Sequence, residues 1–279
     1  MPKLEALTAT GAALLRRHFF AVINLLVSRA GYCIHQGLAF GPEPRQKLDI
    51  YVPSELAAPS AVVLFFYGGG WQGGDRANYR AFGQAFASAG MVTVVADYRL
   101  YPEVKYPGFV EDAAGAMAFV RAHAARYGGD PDRIFLAGHS AGAYNAVMLA
   151  SEPKFLAARG GNLDWIRGVI GIAGPYNFLP MRDPLYVDMF HGTNNTDSMP
   201  VHHVDGPRPP MLLISGSADR TVRLSNTHDM SERLKSFGSD VKVIFYEGVG
   251  HMGVILSLVR GFRSLAPLRR DMIEFIRAH

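Results

Sequence analysis

At 279 residues and 30.4 kDa, with 49% hydrophobic and 19% charged residues, the chain can bury one large core without disulfides or structural metals, and it reads as a single domain over 1–279. The formal net charge of +4 comes from basic residues scattered along the sequence, not packed into runs with aromatics, which argues against nucleic acid as a partner. Its one cysteine, Cys33, has no partner for an intramolecular bridge and suits a reducing compartment.

The amino-terminal residues place Arg16-Arg17-His18 before the apolar run Phe19 to Val27 and then Ser28-Arg29-Ala30, an order that resembles a twin-arginine export signal. Glu5 in the leader and Asn24 in the run speak against it, and the run is far short of the roughly 20 residues that a membrane span needs. Residues 1–46 are therefore expected to form a helical extension packed on the body of a cytoplasmic protein. Export, or contact of this helix with a membrane surface, is the second reading.

Lys47 to Pro53 alternates and stops at a proline, as a strand does, and Ala61 to Phe66 is a continuous apolar run of the kind buried on both faces. After Tyr67-Gly68-Gly69-Gly70-Trp71, the pattern predicts a helix over Tyr79 to Ala89, a strand over Met91 to Ala96 and a helix over Phe109 to Tyr127 that Gly128-Gly129 ends. The stretch from Arg133 reads as a short buried strand running into the pentapeptide that begins at Gly138, Ala141 to Ala150 as a helix, and Gly168 to Ile172 and Met211 to Ser215 as strands. A helix near Leu224 to Phe237, a strand over Val241 to Tyr246 and a last amphipathic helix with Leu268, Met272, Phe275 and Ile276 on one face complete the alternation. Strand alternating with helix implies an α/β fold, a mostly parallel central sheet with helices on both faces. The one long irregular stretch, Pro175 to Pro210, is expected to overhang the strand ends as a small cap.

Gly138-His139-Ser140-Ala141-Gly142 is a G-x-S-x-G pentapeptide between a buried strand and a helix, the setting of a nucleophile elbow. Serine alone is a weak nucleophile, so the chemistry needs a histidine base and a carboxylate to orient it. Asp219 follows the strand ending at Ser215, and His251 follows the next strand in a glycine-rich loop, with Glu247 as the fallback acid. An oxyanion would be met by the amide of Ala141 at a helix amino terminus and by amides of the loop Gly68-Gly69-Gly70. His139 is expected to pack beside the elbow, and the remaining histidines lack metal-ligand spacing; no metal or organic cofactor is expected.

These residues make the chain similar to an α/β-hydrolase of the carboxylesterase type, close to the hormone-sensitive-lipase-like and bacterial feruloyl-esterase-like groups. The resemblance runs from Leu48 onward. It implies the α/β-hydrolase fold, Ser140 as nucleophile, His251 as general base and then acid, Asp219 as orienting acid, and Gly69, Gly70 and Ala141 as oxyanion donors. Asp97-Tyr98-Arg99-Leu100 matches a structural segment of the family, in which Arg99 is expected to pair with acids. The family often has histidine where this chain has Tyr67, whose hydroxyl can anchor the glycine loop instead. The resulting expectation is a serine esterase for small-molecule esters of small to medium acyl groups, with Tyr67, Trp71, Phe178, Met181, Tyr186 and Phe190 around the substrate. Aryl-formamidase activity is the alternative, and a non-catalytic ligand-binding member of the fold a further one.

Overall fold

Two runs without a polar side chain, Val62–Phe66 and Ile134–Ala137, set the middle of the fold, because each is covered on both faces and none of their side chains reaches solvent. They lie in β3 (Ser60–Phe66) and β5 (Gly129–His139), which pair in parallel with Val62 beside Ile134 and Phe66 beside Gly138. The structure is a computed structural model, and it describes residues 24, 27–56 and 59–279. The expected helix over Phe19 to Val27 and the basic leader before it lie almost wholly outside those residues.

The remaining strands are β1 (Tyr32–Ala39), β2 (Lys47–Pro53), β4 (Val92–Ala96), β6 (Gly168–Ile172), β7 (Met211–Gly216) and β8 (Val241–Tyr246). They form one eight-stranded sheet in the order β1-β2-β4-β3-β5-β6-β7-β8. The pairs β1–β2 and β2–β4 are antiparallel, and the pairs from β4 to β8 are parallel. The chain moves from β3 outward to β4, then returns past β3 to β5 and continues the other way. Connections on the two sides of that reversal leave a crevice at the carboxyl ends of β3 and β5, where α/β sheets hold ligands.

The parallel strands are joined by helices. These include α1 (Arg80–Ala87), α2 (Gly108–His123), α3 (Ala141–Ser151), α4 (Pro184–Met189), α5 (Ser225–Ser236), α6 (His251–Leu256) and α7 (Leu268–Ala278). Helix α3 is buried along its whole length, which is why its sequence is apolar all round apart from Asn145 and Ser151. Helix α7 instead buries one stripe, and Leu268, Met272, Phe275 and Ile276 lie in it as their spacing predicts.

The helical reading of residues 1–46 is corrected over Tyr32–Ala39, which is an edge strand. Its half-exposed pattern and the break in register between His35 and Leu38, with Gly37 at φ +68°, obscure the alternation that marks a strand in sequence. Within 175–210 the chain is less irregular than expected. It carries α4 and two 3-10 turns, tied down by Tyr144 donating to the Ser198 carbonyl and Tyr106 donating to the Asp197 carbonyl at 2.7 Å.

Arg99 pairs as expected. Its Nη2 and Nε reach the fully buried Asp112 carboxylate at 2.8 and 2.9 Å, and that carboxylate also accepts from the Arg99 amide and from Gln46. Removing Arg99 leaves the buried Asp112 charge without its cation, so Arg99→Met is expected to cost about 3–5 kcal/mol in urea unfolding, and the double variant Arg99→Met/Asp112→Leu to recover much of it. Equal losses in the two variants would contradict that account.

Candidate active site

Ser140 sits between β5 and α3 with φ +54° and ψ −123°, a conformation that an L residue holds only under constraint. The constraint is visible on both sides. The Ser140 amide donates to the Ile172 carbonyl at 2.8 Å, and its carbonyl accepts from the Tyr144 amide at 3.1 Å. A Cβ at Gly142 would overlap the Phe66 carbonyl, and one at Gly138 would overlap the Gly142 backbone, so the first turn of α3 lies directly on the end of β3. The elbow therefore holds Ser140 beside the loop that leaves β3. Gly68 is so close that a Cβ there would come within 2.9 Å of the Ser140 Cβ.

Asp219 follows β7 and is fixed by its own turn. Its Oδ1 accepts from the amides of Thr221 and Val222 at 2.8 and 2.9 Å, and its Oδ2 faces His251 Nδ1 at 2.7 Å. A carboxylate only accepts, so Nδ1 carries the proton and Nε2 is left as the basic nitrogen. Burial pushes the Asp219 carboxyl up, but the hydrogen bonds from His251 and the two amides outweigh it and hold the group below the usual carboxylate range. Glu247, the fallback acid, is exposed to solvent. His251 is not in a loop, as expected, but is the first residue of α6 with Gly250 preceding it. The short helix escapes sequence inspection because Gly248 and Gly250 precede it and Gly253 falls within it.

Ser140, His251, Gly68, Gly69, Gly70 and Ala141 line one cavity of about 850 Å³. Trp71, Phe178, Leu179, Met181 and Tyr186 supply apolar wall, and Asn177, Asp229, Thr221 and Arg223 a polar one. Two of the expected substrate contacts are corrected. Tyr67 is fully buried beneath the loop and is absent from the cavity wall. Phe190 is also fully buried, with its ring 5.0 Å from Trp71 and 5.4 Å from Phe178, so it backs the wall and does not face the cavity. Apolar character alone does not distinguish a residue that lines a wall from one packed behind it.

Tyr67 instead anchors the glycine loop. Its hydroxyl donates to Asp97 Oδ1 at 2.7 Å and accepts from Arg45 Nη2 at 2.7 Å, while its carbonyl accepts from the Tyr98 hydroxyl at 2.7 Å. Asp97 is further bound by the Arg76 amide at 2.8 Å and by the Arg76 guanidinium, which also reaches Asp49 at 2.8 Å. Burial is the largest influence on both partners, raising the Tyr67 phenol far above its usual value and the Asp97 carboxyl above its own. Arg45, Arg76 and Asp49 gave no signal in sequence, because nothing in their local pattern shows that they converge.

His139 is likewise more than filler. It is buried to 1% exposure, and its Nε2 lies 3.2 Å from the carbonyl oxygen of His251, so Nε2 carries the proton and donates. Its Nδ1 is buried without a partner. Burial, then the nearby His251, push its pKa down to about 3. The bond joins the elbow to the start of α6. Elsewhere, Glu152, Asp197 and His203 bring ligand-type atoms within 4.8 Å, far from any sequence spacing that suggests a metal. Lys154 already supplies positive charge there, 3.5 Å from Glu152 and 3.2 Å from Asp197.

The BD-FAE family model matches residues 48–234, more than half of the chain, and the chain belongs to that family. A probable isoprenylcysteine alpha-carbonyl methylesterase of Arabidopsis thaliana is 29% identical over 80% of this chain and 52% of its own length. Esterase LipC of Mycobacterium tuberculosis is 28% identical over 79% of this chain and 60% of its own. The chain thus spans between about half and two thirds of these relatives, 52% and 60%. Esterase 2 of Thermogutta terrifontis superposes with a TM-score of 0.72 at 26% identity, over 89% of this chain and 96% of that one. Esterase B of Lactobacillus rhamnosis, at 19% identity and TM-score 0.83 over 100% of this chain and 96% of that one, shares the α/β-hydrolase fold.

His139 yields a prediction with a definite sign. Between pH 6.5 and about 3 the unfolded chain binds a proton at this residue and the folded chain does not. Stability is therefore expected to fall as pH drops through that window, by up to about 1.4 kcal/mol per pH unit from this group. In His139→Gln, whose amide can still donate to His251, urea unfolding should show a shallower fall; an unchanged slope would count against a neutral buried imidazole.

Proposed function

We propose that this BD-FAE family member is a serine hydrolase that cleaves carboxylic esters of small to medium acyl groups through an acyl-enzyme on Ser140. One observation carries the proposal: a serine held at an elbow shares a cavity with a histidine whose Nδ1 is bound by a buried carboxylate, which leaves Nε2 basic. Ser140 Oγ attacks the ester carbonyl while His251 Nε2 takes its proton. The negative oxygen of the tetrahedral intermediate is met by amides of Ala141, Gly69 and Gly70, and removal of one such donor costs roughly 3 kcal/mol in comparable sites. His251 then gives the proton to the departing alcohol. A water, deprotonated in turn by His251, attacks the acyl-enzyme and releases the acid. Asp219 stays ionised throughout and stabilises the imidazolium.

The named activities of the relatives and of the Thermogutta esterase support ester hydrolysis as the reaction class. Acyl length is set at Trp71 in this reading. Trp71 is 3% exposed, its Nε1 donates to Asn145 at 3.1 Å, and Phe109, Tyr144 and Phe190 pack against it, so it is a fixed wall.

Ser140→Ala is expected to lower kcat on p-nitrophenyl butyrate by roughly 10⁴-fold or more and to abolish fluorophosphonate labelling. A panel of acyl esters, feruloyl esters, prenylcysteine methyl esters and N-formylkynurenine tests the substrate class, and activity concentrated on the formamide would sink the ester reading. Trp71→Ala should move the preferred acyl chain toward longer esters by about tenfold in kcat/KM, since one methylene changes discrimination at least that much. An unaltered chain-length profile would remove Trp71 from that role.

A further inference from the structure

The carboxyl-terminal segment concentrates positive charge away from the catalytic cavity. Residues 257–279 hold five arginines against one aspartate and one glutamate. Four of them, Arg263, Arg269, Arg270 and Arg277, converge on a second cleft of about 540 Å³ that Ser88, Ser257 and Glu274 help to line. Arg269 forms its floor, with Nε donating to the Ala85 carbonyl at 2.9 Å near the end of α1. Arg270 is paired, with Asp271 at 2.9 Å and Glu274 at 3.7 Å. Among the described residues no carboxylate pairs with Arg263, Arg269 or Arg277. Burial first, then the charges of Arg263 and Arg277, lower the pKa of Arg269, so the guanidiniums are close enough to repel one another. Planar forks arranged in this way match the oxygens of a phosphate or carboxylate, which would relieve the repulsion.

The surroundings point to a lipid as the carrier of that anion. Leu265, in the turn between Arg263 and Arg269, is 44% exposed, one of two large apolar side chains so exposed among the described residues. Beside it, Phe262 and Leu256 pack on a small cluster of Val27, Ala81 and Val259. Val27 and Asn24, whose side chain donates to the Ala77 carbonyl at 2.7 Å, mark where the amino-terminal segment joins the body. Ala81 is one helical turn before Ala85 on α1. Asn24 and Val27 therefore contact the body next to the arginine cleft.

We propose that this cleft binds the phosphate of an anionic phospholipid, with Leu265 entering the apolar boundary, so that the enzyme docks on a negatively charged membrane surface. The site is separate from the residues assigned to hydrolysis. The full chain is expected to sediment with vesicles containing phosphatidylglycerol but not with vesicles of phosphatidylcholine alone, and added salt should release it. Arg263→Gln and Arg277→Gln should each weaken the binding roughly fivefold, and Leu265→Ser should weaken it further without changing the salt dependence. Both arginines are exposed, so hydrolysis of a soluble ester and the Tm should be preserved, which reports folding independently of binding. Equal sedimentation of wild type and the double arginine variant overturns the proposal, as does equal binding to neutral vesicles or no binding to either. Saturable calorimetric binding of inorganic phosphate without vesicle binding would also overturn it, in favour of a soluble anion. None of these outcomes touches the esterase reading, because sedimentation does not depend on turnover.

Discussion

The first turn of α3 lies so close to the carbonyls of Phe66 and Tyr67 that no Cβ fits at Gly142, and the rest of the site follows from that contact. It exists because β3 and β5 are neighbours at the point where the strand order reverses. Two loops that leave those strands in sequence-distant parts of the chain are thereby pressed together, one with the glycine amides and the other with Ser140. The positive φ of Ser140 is a consequence: strand and helix can meet at this separation only if the residue between them turns sharply.

Charge is placed so that the loops cannot relax away from this contact. Beneath the glycine loop, Tyr67, Asp97, Arg76, Arg45 and Asp49 form a network in which a buried carboxylate is matched by an amide, a phenol and a guanidinium. Such a network stabilises only when complete, since an unmatched buried charge costs several kcal/mol. Its completeness makes it a stiff foundation for the amides above. On the other side of the cavity the same logic is applied to His251. Asp219 fixes its ring from Nδ1, and His139, kept neutral by burial, holds its backbone.

The span matched by the BD-FAE family model ends at residue 234, so it contains the elbow, the glycine loop and Asp219 but neither His251 nor the arginines of the second cleft. The carboxyl-terminal part nevertheless completes the site, because β8 pairs in parallel with β7 and delivers His251 to the same sheet edge as Asp219. The helix that starts at His251 then leads to the segment carrying the arginines. One stretch of chain thus supplies both the histidine of the cavity and the arginines of the separate cleft.

Much of the fold was legible in the sequence, because strands buried on both faces must be apolar throughout and the helices between them carry a one-sided stripe or end at glycine. The strands Lys47–Pro53, Gly168–Ile172 and Val241–Tyr246 have the very bounds their patterns predict. The elbow was legible too, since a turn that tight admits few sequences. What local pattern could not contain was convergence. Whether Phe190 faces the cavity or backs Trp71, whether Tyr67 meets substrate or Asp97, and whether His139 merely packs or holds His251 depend on which surfaces the sheet brings together. Side-chain chemistry determined what each residue could do; the reversal of strand order between β3 and β5 decided which residues could do it to one another, because hydrogen bonds and ion pairs act over a few ångströms of space and not along the chain.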